Sequence, residues 1–120
     1  MNKIRIGQDG ETLAAAFLEK KGYTIVTRNF RLKSGEIDII ARCKQTVVFC
    51  EVKARNTREF GEPFEAVTSY KQKRLKRLAL AYLQGAESRN VPIREFDYRF
   101  DIISIILGPE PEITHIENAF

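Results

Sequence analysis

The stretch from Gly35 to Arg55 restricts the possible folds more than any other part of the chain. Two runs within it alternate between faces, at Glu36–Ile40 and at Val47–Lys53. Because successive side chains of a strand point to opposite faces, the runs predict an antiparallel hairpin. A loop centred between Lys44 and Gln45 pairs residues whose numbers add up to 89. A four-residue loop is favoured, because neither residue readily takes the positive φ of a type I′ turn.

The predicted register brings charged side chains together. It sets Asp38 opposite Glu51 and Glu36 opposite Lys53, and the alternation puts Ile40 on the same face. Directly opposed side chains have Cβ atoms roughly 4.5 to 5.5 Å apart, so two carboxylates are expected to converge.

Converging carboxylates predict a metal site, because they raise each other's pKa unless a cation neutralises them. Without a nearby His or thiolate, carboxylate oxygens favour Mg²⁺ or Mn²⁺. Lys53 adds a positive donor two residues beyond Glu51. An ion of this kind and a lysine suit phosphodiester hydrolysis, in which a metal-bound water attacks and charge grows on the phosphate.

These residues also resemble a known family. Asp38 and Glu51-Val52-Lys53 match the Asp…Glu-x-Lys signature of the PD-(D/E)xK nuclease superfamily. The wider matches lie at Gly7, Gly10-Glu11, Asn29-Phe30-Arg31, Gly35-Glu36-Ile37-Asp38, Phe49 to Arg55, Arg99-Phe100-Asp101 and His115 to Phe120. Over essentially its whole length the chain resembles the YraN-like family of small bacterial proteins, which within the superfamily is most similar to archaeal Holliday-junction resolvases.

The resemblance implies a restriction-endonuclease-like α/β fold, a mixed β-sheet flanked by helices. It also implies metal-dependent cleavage of branched or single-strand-containing DNA, and it suggests a homodimer because junction-cutting relatives act as dimers. By this likeness Glu11, Asp38 and Glu51 hold one or two Mg²⁺ or Mn²⁺ ions, and Lys53 positions or activates the water.

A first helix is predicted over Gly10–Lys21, with a buried stripe that includes Leu13 and Phe17. Glu11 stands on the buried edge at the helix entrance. From the residues alone, Glu11 is either a first-turn acid favoured by the helix dipole or a site residue. The resemblance implies the second role.

A second helix is predicted from Thr68 or Ser69 to about Gly85. Five basic residues between Lys71 and Arg77 form either a DNA-backbone face or a solvated one. The predicted nucleic-acid contacts are Lys71 and Gln72 at the positive end of the helix and Lys73 on its outer face. Arg55 is a further predicted contact, because it extends the strand of the metal site. Arg58 in the loop 54–63 is either a phosphate contact or a solvated residue.

The predicted element order is βαβββαββ in a single domain over residues 1–120, with a short or absent first strand around Ile4 and Ile6. The net charge of +4 is compatible with a nucleic-acid partner but does not decide it. Asp101 and His115 are expected to be structural, and Cys43 and Cys50 reduced. The absence of a signal-length or membrane-length apolar run predicts a cytoplasmic protein without a membrane partner.

Three functions are compatible with the sequence. The first is a metal-dependent DNA endonuclease. The second is a nucleic-acid-binding protein with a nuclease-like fold and no catalytic activity. The third is an interaction module whose acidic hairpin is only a salt-bridged sheet face, with Glu36 paired to Lys53.

Overall fold

The computed structural model describes residues 3–56, 67–89 and 96–120. Seven elements follow one another along the chain: α1 (Lys3–Lys20), β1 (Thr24–Leu32), β2 (Gly35–Cys43), β3 (Thr46–Arg55), α2 (Ser69–Ser88), β4 (Asp97–Ile106) and β5 (Glu112–Ile116). Arg58 lies outside the described residues.

The first strand, predicted to be short or absent around Ile4 and Ile6, is absent, and these residues belong to a helix. Helix α1 already begins at Lys3, seven residues before the predicted start at Gly10. Two apolar residues are too few to specify a strand, and no proline interrupts the segment. Once a helix is nucleated, each added turn costs little, so α1 extends towards the amino terminus.

The five strands form one sheet in the order β1-β2-β3-β4-β5. Strands β3 and β4 run parallel, and the other neighbouring pairs are antiparallel. Helix α1 packs on one face through Ala14 and Leu18, and α2 packs on the other through Leu75 and Leu78. The predicted architecture, a mixed sheet flanked by helices, is confirmed.

The hairpin register is confirmed between Ile39–Cys50 and Cys43–Thr46, where paired residue numbers add up to 89. The favoured four-residue loop is wrong, because the Cys43–Thr46 pair leaves only two residues in the turn. Lys44 takes a φ of 55°, the left-handed conformation that the sequence argument considered unfavourable. The Arg42 Nε donates a hydrogen bond to the Lys44 carbonyl at 3.1 Å, which supports the turn.

The sheet forks between β2 and β3. Their ladder ends at Ile39–Cys50, although β2 stays paired with β1 as far as Gly35 and β3 stays paired with β4 as far as Arg55. The predicted backbone pairs of Asp38 with Glu51 and of Glu36 with Lys53 therefore fall beyond the ladder.

The strict alternation predicted for β2 is also interrupted here. Ile37 and Ile40 both pack in the cluster under α2, whereas Ile39 packs in the cluster under α1. Ile40 was expected to share the face of Glu36 and Asp38, opposite Ile37. The change of phase falls where β2 leaves β3, since the ladder that enforces a regular pleat ends at Ile39.

A buried polar network ties β4 to β5 and to the end of α1. Asp101 is fully buried and accepts hydrogen bonds from Arg99 Nε at 2.8 Å and from the Asn118 amide at 2.9 Å. His115 Nε2 lies 2.6 Å from Asp101, and Lys21 Nζ lies 2.7 Å from His115 Nδ1. An ammonium only donates, so Nδ1 accepts and Nε2 carries the proton towards Asp101. The predicted structural roles of Asp101 and His115 are confirmed.

Both cysteines are free thiols: Cys50 is buried and Cys43 is partly exposed at the end of β2. Burial, followed by the charge of Asp101, raises the pKa of the Cys50 thiol. Neither helix α1 nor helix α2 is apolar enough over its length to cross a lipid bilayer.

Candidate metal centre

Asp38 lies in the fork between β2 and β3. Its residue is only 9% exposed, and its Oδ2 accepts a hydrogen bond from the Val52 amide at 2.8 Å. The carboxylate thus satisfies a main-chain donor of β3 that the ended ladder leaves without a carbonyl partner on β2. This bond fixes the Asp38 side chain between the two strands.

Glu11 reaches the fork because α1 packs very closely on β3. A Cβ on Gly10 would lie 2.4 Å from the Ala54 Cβ, so only glycine permits this approach. The next residue is Glu11, which the close packing holds half-buried beside the strands. Glu11 is not a first-turn acid at the helix entrance, because α1 begins eight residues earlier at Lys3, and it lies beside the acidic strand.

Three carboxylates converge at the fork. One oxygen each of Glu11, Glu36 and Asp38 lies within 4.8 Å of the other two. The Glu36 side chain also accepts a hydrogen bond from Arg31 Nε at 2.5 Å. All three donors are carboxylate oxygens, which is the ligand chemistry that hard divalent ions select.

Burial and mutual repulsion make the acids at the fork harder to ionise. Burial and then the charge of Glu51 raise the pKa of Asp38 to about 8, against the hydrogen bond from Val52. Burial and then the charge of Glu36 raise the pKa of Glu11. Repulsion of this kind disappears when a cation is shared, so the residues present fit a divalent metal ion.

Glu51 lies beside this group but outside the mutual 4.8 Å set of described carboxylates. Its charge acts on Asp38, and its Oε1 lies 3.2 Å from Lys53 Nζ, with both side chains mostly buried. The Glu36–Lys53 ion pair of the interaction-module hypothesis is not formed: Glu36 pairs with Arg31, and Lys53 pairs with Glu51.

The predicted nucleic-acid contacts lie in different surroundings. Lys71 lies near Lys53 at the border of the site. The charge of Lys53, followed by burial, lowers the pKa of Lys71. Gln72, in the first turn of α2, donates a hydrogen bond from Nε2 to the carbonyl of Val67, which precedes the helix, at 3.2 Å. Lys73 is exposed, and Arg55 is half-buried at the last residue of β3.

Sequence reasoning missed one residue of the acid group. Glu36 was assigned to Lys53, although its position two residues before Asp38 already put both acids on one strand face.

A family model described as "Uncharacterised protein family UPF0102" matches residues 10–105 of the chain. The chain belongs to the UPF0102 family. The matched segment contains Glu11, Glu36, Asp38, Glu51 and Lys53, so the whole candidate site lies in the part that the family shares. This is the YraN-like family to which the sequence motifs pointed.

UPF0102 relatives match almost the full chain. The UPF0102 protein of Geobacter sulfurreducens is 49% identical over 121 residues, covering 99% of this chain and 90% of its own length. The UPF0102 protein of Caldicellulosiruptor saccharolyticus is 44% identical over 123 residues and covers both chains fully. That of Symbiobacterium thermophilum is 46% identical over 118 residues, covering 97% of this chain and 96% of its own.

Proposed function

We propose that the chain is a divalent-metal-dependent nuclease that hydrolyses phosphodiester bonds in branched or single-strand-containing DNA. The observation that carries the proposal is the convergence of Glu11, Glu36 and Asp38 in the fork, with the Glu51–Lys53 pair on the neighbouring strand. Carboxylates and a lysine in this arrangement are the groups that metal-assisted phosphodiester hydrolysis requires.

The carboxylates and the lysine would have different roles. Carboxylate oxygens of Glu11, Glu36 and Asp38, with Glu51 beside them, would hold Mg²⁺ or Mn²⁺. The bound ion supplies a water of lowered pKa and neutralises charge on the phosphate. Glu51 holds the Lys53 ammonium beside the acids, where it can donate to the attacking water or to a phosphate oxygen.

The cleavage test uses single-stranded, flap, junction and duplex DNA with Mg²⁺ or Mn²⁺. Asp38→Asn and Glu51→Gln keep the shape of each side chain and remove its charge, so we expect cleavage to fall at least about 100-fold. The matched control is Glu19→Gln on the exposed face of α1, which should retain activity within about two-fold. Equal cleavage by all four proteins would contradict the proposal and indicate a contaminant.

A direct test of the ligand set is calorimetric titration with Mn²⁺. We expect Glu36→Gln and Asp38→Asn to weaken binding at least ten-fold, because both acids lie in the converging group. Glu51→Gln distinguishes two ligand sets. A large loss of binding in this variant would support the set predicted from the sequence, Glu11, Asp38 and Glu51, and a small loss would support the converging set with Glu36. Unchanged binding in every variant would exclude the fork as the metal centre.

The alternative is nucleic-acid binding without hydrolysis, and one observation favours it as a second candidate. Lys53 lies near Lys71, since its charge lowers the pKa of Lys71, and two neighbouring ammonium groups attract an anion whether or not a reaction follows. Binding that weakens with salt, without cleavage with any divalent ion, would support this alternative. The homodimer remains a prediction.

A further inference from the structure

Arg74 of α2 carries an unsatisfied donor next to the acidic fork. Its Nε is buried and has no hydrogen-bond partner among the described residues. The side chain lies against Gly35, where an added Cβ would come within 3.3 Å of both Arg74 Cδ and Nε. Gly35 has a φ of 147°, which favours glycine, and directly precedes Glu36. A buried guanidinium donor without an acceptor is costly and is satisfied by an anion.

Other cations crowd the same end of α2. The charges of Lys53 and of Arg74 both act to lower the pKa of Lys71, and the Lys53 side chain also interacts with Lys71 directly. Three cationic side chains therefore meet beside the acids, and of these only Lys53 has an ion pair among the described residues. An oxyanion with several acceptor oxygens would relieve this repulsion, and a backbone phosphate is such a group.

An open aromatic ring stands beside Arg74. Tyr70 is 72% exposed, and the Arg74 Cζ lies 5.9 Å from the centre of its ring. Most of the ring is accessible beside the guanidinium. A nucleobase stacks on such a ring only when it is unpaired, because a base within a duplex is already stacked on its neighbours.

We propose that Arg74 and Tyr70 form a nucleotide subsite next to the acidic fork, in which Arg74 binds a backbone phosphate and Tyr70 stacks an unpaired base. That the ligand of this subsite is a nucleic acid rests on the proposed function. It makes Tyr70 a specificity-determining residue, because only substrates with an unpaired nucleotide at this position use the stacking contact.

The stacking contact is tested by fluorescence anisotropy on a 12-nucleotide dT strand and on a 12-nucleotide abasic strand, in Mg²⁺ and in an Asp38→Asn background. We expect Tyr70→Ala to weaken binding of dT about ten-fold and Tyr70→Phe to stay within two-fold. On the abasic strand Tyr70→Ala should change binding by less than two-fold. Tyr98→Ala is the matched control, since Tyr98 is 60% exposed but lies at the other end of the sheet.

The phosphate contact is tested by the salt dependence of the same binding. Arg74→Gln should reduce the slope of log affinity against log salt by about 0.7, the value for one phosphate contact on a single strand. Lys76→Gln is the control, because Lys76 is exposed and points about 200° away around α2. Circular dichroism melts of each variant show whether it folds, and we expect Arg74→Gln to melt no lower than the parent protein.

The outcomes separate this inference from the proposed function. Equal dT binding by Tyr70→Ala and Tyr70→Phe, or equal losses on dT and on the abasic strand, would overturn the stacking subsite. An unchanged salt slope in a folded Arg74→Gln would overturn the phosphate contact. If the wild-type protein binds DNA through Tyr70 but cleaves no substrate, the proposed hydrolysis is refuted and the nucleotide subsite is not.

Discussion

A buried carboxyl that faces a second acid is costly to ionise, even when it accepts a main-chain hydrogen bond. Asp38 combines these properties, with a pKa of about 8 from burial and the charge of Glu51. In the unfolded chain its pKa is about 3.9. Between these values the folded state binds a proton that the unfolded state lacks, so without metal Asp38 lowers stability as the pH rises from about 4 to 8.

Replacement of Asp38 by Asn removes this ionisation and keeps an oxygen for the Val52 amide. In EDTA at pH 8 we expect Asp38→Asn to be more stable than the wild type by at least about 1 kcal/mol, with a smaller difference at pH 5. Urea unfolding followed by circular dichroism measures this, with Glu110→Gln in an exposed turn as the control. A variant less stable than the wild type at pH 8 would contradict the assigned direction.

At the scale of elements, the contact of α1 with β3 decides whether Glu11 reaches the fork. Gly10→Ala would place a Cβ 2.4 Å from the Ala54 Cβ and force the helix away from the strand. We expect a loss of about 1–3 kcal/mol in stability, as for other overpacked cores, together with weaker Mn²⁺ binding.

The matched control for this contact is Gly85→Ala in α2. An added Cβ there meets only the Arg89 Nη1 at 3.8 Å, an ordinary contact. We expect Gly85→Ala to raise stability by about 0.5–1 kcal/mol through helix propensity and to leave Mn²⁺ binding unchanged. Thermal melts and titrations of the two variants compare them directly, and equal effects would show that the close α1–β3 packing does not matter.

At the scale of the whole molecule, Asp101 joins distant parts of the chain. Burial alone would raise its pKa, but the hydrogen bonds from His115, Arg99 and the Asn118 amide outweigh burial and lower it. Its contribution to stability is therefore complete above about pH 4 and is lost as the pH falls through the lower folded-state pKa.

Asp101→Asn should destabilise the protein by about 3 kcal/mol, because it leaves Arg99 and His115 without their charged acceptor. Asp97→Asn, an exposed acid on the same strand, should cost less than about 0.5 kcal/mol. Denaturant titrations at pH 7 compare the two, and the gap should narrow at pH 3. An equal cost for both substitutions would show that the buried network does not stabilise the fold.

Local sequence patterns predict much of the fold and part of the candidate site. The hairpin register and the partner of Asp101 followed from alternation and from charge, which act between neighbours. The end of the β2–β3 ladder at Ile39 and the part of Glu36 in the acid group depend on where strands separate. Arg74 meets Gly35 only through the packing of α2 on the sheet, a long-range contact that no periodicity encodes.

The different settings of the two thiols have a practical consequence. Cys43 is partly exposed beside the hairpin turn, five residues along β2 from Asp38 and therefore about 17 Å from the fork. Cys50 is buried, and its raised pKa keeps it in the unreactive form. A maleimide fluorophore should therefore label the native protein at one position and report ligand occupancy without touching the acids that it monitors.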